Sequence, residues 1–310
     1  MMIVDIVFIV LGVTMVLAGA DRLTEGASAL ARRMNVPEII IGLTIVAAGT
    51  SAPELFVSLV SAMKDTPDMA VGNVVGSNTM NAMLIVGCAA MVAPMSISRS
   101  TVKKDIPFSV TASVLLILLA LDSFLGRWDG IILLAGFAAF MVYTLMQAQF
   151  TSNTAEVQKE TSPVWKSLLY LVGGLLLLVV GSNVFVDHAS SVALSLGISE
   201  GVVGLTVVAG GTSLPELATS VVAARKGQSA IAIGNVIGSN VFNILLILGM
   251  TAVISPLQIE GITTIDMAVM LVSVALVWLF SFTRYTVERW EGAVLVGGYL
   301  IYLFWLIANL

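Results

Sequence analysis

The sequence predicts an all-α integral membrane protein, with ten transmembrane helices in two inverted-topology five-helix repeats. Three observations predict it. The 310 residues are 58% hydrophobic and 11% charged, with a mean hydropathy of +1.03, where a soluble domain averages about 25% charged residues. Apolar runs close to the ~20 residues that cross a bilayer recur along the whole chain. A constant offset then maps the first half of the chain onto the second.

The first run, near 2–20, carries Asp5 with no basic segment ahead of it and no cleavage motif, so it reads as a retained span rather than a signal peptide. Further spans are expected near 36–62, 69–93, 106–122 and 129–148. A polar stretch from Thr151 to Pro163, with Glu156, Lys159 and Glu160, reads as a solvated linker. The second set is expected near 164–186, 199–224, 229–254, 265–282 and 291–309. The domain reading is a first repeat over 1–150, a cytoplasmic linker over 151–163 and a second repeat over 164–310. Trp128, Trp165, Trp290 and Trp305 near span ends fit an interfacial aromatic belt.

The repeat is exact in register. Glu54 and Glu216 lie 162 positions apart, and the same offset relates Gly42 to Gly204, Thr44 to Thr206, Ser58 to Ser220, Asn81 to Asn243 and Pro94 to Pro256. It also relates Gly72-Asn73 to Gly234-Asn235, Gly76-Ser77-Asn78 to Gly238-Ser239-Asn240, and Arg127-Trp128-Asp129-Gly130 to Arg289-Trp290-Glu291-Gly292. An odd number of spans per copy inverts the second copy, an architecture that places sites at the repeat interface near the midplane. With the N-terminus outside, one face receives Arg22, Arg32, Arg33, Arg99, Lys103, Lys104, Lys159, Lys166, Arg225, Lys226, Arg284 and Arg289; the other receives Lys64 and Arg127. That bias makes the linker cytoplasmic and both termini external in a multi-pass protein of the cell (inner) membrane.

Two short stretches carry the chemistry: Gly49-Thr-Ser-Ala-Pro-Glu-Leu55 and Gly211-Thr-Ser-Leu-Pro-Glu-Leu217. An ionisable residue at membrane depth costs roughly 3 kcal/mol on insertion scales, and proline removes a helix hydrogen bond. On a helix, Thr50, Ser51 and Ser58 share a face with Glu54, and Thr212, Ser213 and Ser220 share one with Glu216. Pro53 and Pro215 are expected to free the carbonyls of Gly49 and Gly211. Asn81 lies above Ser77 and Asn78 in the next span, and Asn243 above Ser239 and Asn240. The lining is all oxygen, which suits hard cations such as Na⁺ and Ca²⁺ rather than zinc or copper. Two ionised glutamates match one Ca²⁺ or two Na⁺, so ions competing for one pair of carboxylates supply a basis for exchange.

Plainer readings stand beside these. A single buried glutamate can be a protonated structural residue, hydroxyls often bond their own helix, and the Gly72–Gly76 and Gly234–Gly238 pairs read as packing. Asn81 and Asn243 fit helix–helix hydrogen bonding as well as coordination. Cys88 reads as a small packed residue, and as the sole cysteine it excludes an internal disulfide. His188 reads as an interfacial residue near an external loop, and Asp21 and Asp187 as solvated. Beside a cation antiporter, a cation channel lined by the glutamates and a membrane scaffold remain as alternatives. The net charge of −5 points to no particular partner. The pattern requires a lipid bilayer, and no cofactor, nucleic acid, obligatory protein partner or enzymatic reaction.

At these residues the sequence resembles the calcium/cation antiporter family, specifically its sodium/calcium exchanger branch in a prokaryotic form without regulatory domains. The paired G-T-S-x-P-E-L and G-N-x-x-G-S-N-x-x-N elements look like that family's two alpha repeats. The resemblance implies four central sites between the second, third, seventh and eighth spans, with Ca²⁺ and Na⁺ as transported ions. It implies Glu54 and Glu216 as shared ligands, Thr50 and Thr212 supporting calcium, and Ser51, Ser77, Ser213 and Ser239 at flanking sodium sites. Ala47 and Ala209 would offer carbonyls to sodium, and Asn81 and Asn243 would complete the centre. The first and sixth spans would slide as a gate. Some exchangers of the family, including potassium-dependent ones, carry an aspartate where Asn243 stands, so this chain has two carboxylates rather than three. Proton/calcium exchange is the alternative within the family.

Overall fold

The computed structural model describes residues 2–152, 163–197, 207 and 209–308. Twelve helical segments follow one another: α1 Met2–Met34, α2 Glu38–Thr50, α3 Ala52–Met63, α4 Pro67–Val92, α5 Ile106–Leu119, α6 Arg127–Ser152, α7 Val164–Ser195, α8 Ala209–Thr212, α9 Leu214–Arg225, α10 Ser229–Ile254, α11 Thr264–Ser281 and α12 Arg289–Ala308. Among the described residues, seven helices are long and apolar enough to cross a membrane, and the bent pair α2–α3 makes an eighth. The protein is an all-helical membrane protein. Of the ten expected spans, the one near 106–122 is a 14-residue helix preceded by a π turn, Thr101–Asp105. The one near 199–224 begins outside the described residues, as do Gly204, Thr206 and most of the 151–163 linker with Glu156, Lys159 and Glu160.

Two spans run well past their expected ends. α1 continues to Met34 instead of stopping near 20, and α7 to Ser195 instead of 186. Hydropathy falls at Asp21 and Arg22, yet the helix still has a face to bury, and Leu23, Thr24, Ala27, Ser28 and Ala31 are buried. Glycine explains how the two long helices meet. A Cβ on Gly12 would lie 2.8 Å from the Gly181 carbonyl oxygen, and one on Gly19 would lie 2.7 Å from that of Gly174. Small residues let backbones approach this closely where no hydrophobic drive separates helix from lipid. Where the start of α1 meets the C-terminal third of α7, His188 lies inside α7 rather than beside a loop. Its Nδ1 pairs with Asp5 Oδ1 at 2.8 Å, and its ring stacks on Phe8.

α4 and α10 form the centre. Within their most apolar stretches 78% of residues are buried, against 17% for α1, α6 and α12, which face outward. Each contains a π turn, Asn81–Ile85 in α4 and Phe242–Leu248 in α10. π turns inside α-helices are frequent at functional sites because they re-aim side chains.

Two short antiparallel pairings tie the halves together. β1 (Met95–Ser96) pairs with β4 (Thr286–Val287), and β2 (Phe124–Leu125) pairs with β3 (Leu257–Gln258). Met95 faces Val287, and Leu257, which is Met95 displaced by 162, faces Leu125, which is Val287 displaced by the same number. The offset of the sequence therefore reappears as an exchange of partners in space.

Candidate ion-binding site

The helix carrying Glu54 does not run straight through its motif. At Ser51 the backbone leaves helical geometry (φ −83, ψ 7), and α2 and α3 meet at a 45° bend. Pro53, in the first turn of α3, has no N–H to give and suits that place. Ser213 repeats the break (φ −90, ψ 6) ahead of Pro215 in α9. Each glutamate thus sits in the first turn of a new helix, where the dipole favours a carboxylate. The Gly49 carbonyl, expected to be released by Pro53, instead accepts a backbone N–H of the capping turn.

The break also redirects the hydroxyls. Ser51 Oγ donates not to its own motif but to Glu216 Oε1 at 3.0 Å, and Ser213 Oγ donates to Glu54 Oε1 at 3.1 Å. The single-helix stripe expected from spacing is replaced by a reciprocal exchange between halves. Thr50 Oγ1 bonds the Val46 carbonyl at 3.1 Å and Asn235 Oδ1 at 3.0 Å. Ser58 and Ser220 turn away from the glutamates toward the carbonyls of Ala70 and Ala232. Ser77 shares a 3.2 Å hydrogen bond with Ser213, and Ser239 reaches Glu216 at 3.5 Å. Ala47 is fully buried against Gly238, Thr212 ends α8, and Ala209 begins it.

Four further asparagines build the frame. Asn73 Nδ2 donates to the Glu54 carbonyl at 3.1 Å and Ser58 Oγ at 2.9 Å, and Asn235 does the same for Glu216 and Ser220. Asn81 Nδ2 donates to Asn240 Oδ1, and Asn243 Nδ2 to Asn78 Oδ1, each at 3.1 Å. The repeated motif contains all four; spacing places Asn78 and Asn240 beneath Asn81 and Asn243, and gives Asn73 and Asn235 no role. Their recurrence at the 162 offset was the available signal.

Several buried atoms of the centre remain unpartnered, the donor Asn240 Nδ2 and four acceptors. Glu54 Oε2, Glu216 Oε2, Asn81 Oδ1 and Asn243 Oδ1 are buried and have no hydrogen-bond partner. All four are oxygens able to accept, and they form two pairs related by 162. Every lysine and arginine among the described residues is exposed, so no basic side chain neutralises the two carboxylates. An uncompensated buried charge costs several kcal/mol. Carboxylate and amide oxygens of this kind are the ligand types that hard cations take.

The fold defines an integral membrane protein of the transporter class, with a symmetric acidic centre buried between its halves. The family model described as sodium/calcium exchanger protein matches the chain twice, over residues 4–146 and 166–308. The chain belongs to the sodium/calcium exchanger family; it is a cation/Ca²⁺ antiporter, not an enzyme. It is 36% identical to CaxA of Alkalimonas amylolytica, over 99% of this chain and 100% of that one. It is 31% identical to the sodium/calcium exchanger MaX1 of Methanosarcina acetivorans, over 98% of each. Its structure resembles that of the sodium-calcium exchanger NCX_Mj with a TM-score of 0.87 at 32% identity, covering 100% of both chains.

Proposed function

We propose that the chain exchanges Na⁺ for Ca²⁺ by alternating access, with Glu54 and Glu216 as ligands used in turn by both ions. The observation that carries this reading is the set of four unpartnered buried oxygens on Glu54, Glu216, Asn81 and Asn243. Two negative charges match one Ca²⁺ or two Na⁺, so one cargo must leave before the other is held. Thr50 and Thr212 support the calcium position. Ser51, Ser77, Ser213 and Ser239, with the backbone at Ala47 and Ala209, serve flanking sodium positions. The hydrogen bonds from Ser51 and Ser213 across the halves couple the two glutamates, so a change at one motif is felt at the other.

The same reading divides the chain into repeats over 1–150 and 164–310 that cross the bilayer five times each in opposite senses. The exchanged β pairings and the two family-model matches, both offset by 162, support that division. The charge bias supports a cytoplasmic linker and external termini in the inner membrane, with no obligatory protein partner.

Calcium uptake into sodium-loaded proteoliposomes tests the exchange. Uptake should rise with the outward sodium gradient and saturate with calcium. Uptake that ignores sodium and follows a pH gradient would replace this reading with H⁺/Ca²⁺ exchange. Among the described residues no lysine or arginine is buried, which fits that second reading equally, because protons neutralise carboxylates as sodium does.

A further inference from the structure

A second group of buried polar atoms belongs to α5, the turn before it and α6, which meet at the Phe108 and Phe140 rings. Both carboxylate oxygens of Asp105, the hydroxyls of Ser109 and Tyr143, and Oγ1 of Thr144 are buried without a hydrogen-bond partner. Asp105 is 1% exposed and Ser109 and Thr144 are fully buried. Two contacts frame the group: Gln147 Nε2 donates to Ser100 Oγ at 2.8 Å, and the Phe108 and Phe140 rings meet with centroids 5.1 Å apart. Asp105 and Ser109 lie one turn apart beside the Phe108 contact, and Tyr143 and Thr144 lie between Phe140 and Gln147. No basic side chain among the described residues pairs with Asp105. The nearest in sequence, Lys104, is exposed and lies over the Tyr143 ring, 5.9 Å from its centroid.

The duplication supplies an internal control. Displaced by 162, these four positions become Met267, Leu271, Trp305 and Leu306, none of which carries an oxygen in its side chain. The four oxygen-bearing side chains of the first copy are therefore not repeated at the matching positions of the second. The second copy does hold a carboxylate nearby, and it is satisfied: Asp266 accepts from the Thr263 backbone and hydroxyl and from the Tyr302 hydroxyl at 2.7 Å. Asp105 has no comparable set: the Thr101 hydroxyl of its own turn and the exposed charge of Lys104 are the favourable groups near it, and neither makes a close hydrogen bond or ion pair with its carboxylate. A buried carboxylate and three hydroxyls left unpaired would each cost free energy, so the group needs an occupant.

We infer that Asp105, Ser109, Tyr143 and Thr144 form a second cation site, which holds one alkali-metal cation between α5 and α6. Five oxygens with one negative charge match a monovalent ion. A divalent ion would leave one charge uncompensated among neutral hydroxyls, and the soft metals prefer nitrogen or sulfur. The π turn Thr101–Asp105 presents the carboxylate inward. Its open carbonyl at Val102, which Pro107 has no N–H to satisfy, is taken by Trp278 Nε1 at 2.8 Å, fixing the turn in place. This site does not depend on what the Glu54–Glu216 centre carries.

The experiment removes the central site first. The thermal unfolding midpoint of the purified Glu54→Gln/Glu216→Gln protein is measured in LiCl, NaCl, KCl and choline chloride at equal ionic strength. The expected result is a saturable rise with at least one alkali salt over choline, lost when Asp105→Asn is added. Equal midpoints in all four salts would overturn the proposal and leave Asp105 as a protonated acid. An alkali rise that survives Asp105→Asn would overturn it as well. Should Asp105→Asn fail to fold, Thr144→Val, which keeps the charge, decides: the half-saturating alkali concentration should increase at least about threefold, and an unchanged value overturns the site. Calcium exchange by the same double variant is a separate readout and bears only on the central reading.

Discussion

At the residue scale, the central observation is that each glutamate depends on the other half of the chain. Ser51 serves Glu216 and Ser213 serves Glu54. Hydrogen bonds to charged groups contribute about 1.5–3 kcal/mol, so Ser51→Ala or Ser213→Ala should weaken apparent calcium affinity by roughly ten- to a hundredfold, measured as the half-saturating concentration in proteoliposome uptake. Glu54→Gln or Glu216→Gln should abolish exchange, because each removes half of the site's charge; a double variant that still exchanges calcium would refute the assignment. Asn243→Asp gives a third carboxylate. Calcium alone then leaves one negative charge, so uptake should acquire a requirement for an accompanying monovalent cation, read by replacing K⁺ with choline. Uptake indifferent to that replacement would contradict the charge count.

At the element scale, the α1–α7 pair rests on absent side chains. A Cβ on Gly19 would meet the Gly174 oxygen at 2.7 Å and the Leu178 nitrogen at 2.8 Å. These are backbone atoms that cannot swing aside, so Gly19→Val should force the helices apart. Overpacking of this kind costs about 1–3 kcal/mol, and the thermal midpoint of the purified protein should fall. An unchanged midpoint would mean that the approach seen here is not needed for stability. The π turns in α4 and α10 play a different part. By opening the helices at Asn81 and beside Asn243 they direct those amides across the centre, where each pairs with an asparagine of the opposite half.

At the scale of the whole molecule, the exchange of partners under one offset is the organising rule. It joins β1 to β4 and β2 to β3, Ser51 to Glu216 and Ser213 to Glu54, Gly12 to Gly181 and Gly19 to Gly174. An inverted duplication predicts that twin positions lie on opposite sides of the membrane. Lys64 and Lys226 are twins at exposed turns. With the sole native thiol removed as Cys88→Ser, Lys64→Cys should react with an impermeant maleimide added outside intact cells, and Lys226→Cys only after permeabilisation. Labelling of both from the same side would overturn the inverted arrangement. The molecule also departs from symmetry. Lys226 pairs with Asp21 at 2.6 Å, whereas the twin of Asp21 is Asn183, which carries no charge for Lys64.

Much of this was legible in the chain. Composition established the membrane class, and the repeated Gly-Thr-Ser-x-Pro-Glu-Leu element marked the glutamates, because carboxylates are too costly in hydrocarbon to recur by accident. The offset of 162 marked which residues are equivalent. Spacing along one helix did not show which residues would touch. It assigned Ser51 and Ser58 to Glu54, because periodicity assumes a continuous helix, and the bend at Ser51 breaks that assumption. It ended α1 and α7 too early, since hydropathy registers lipid contact and not burial against another helix. The framing roles of Asn73, Asn78, Asn235 and Asn240, and the unmatched carboxylate of Asp105, depend on contacts between segments far apart in sequence. The sequence by itself determined what kinds of atoms are present and that they come in pairs. The tertiary structure decided which oxygens are consumed by hydrogen bonds and which are left without a partner, because that is settled only when both halves pack together.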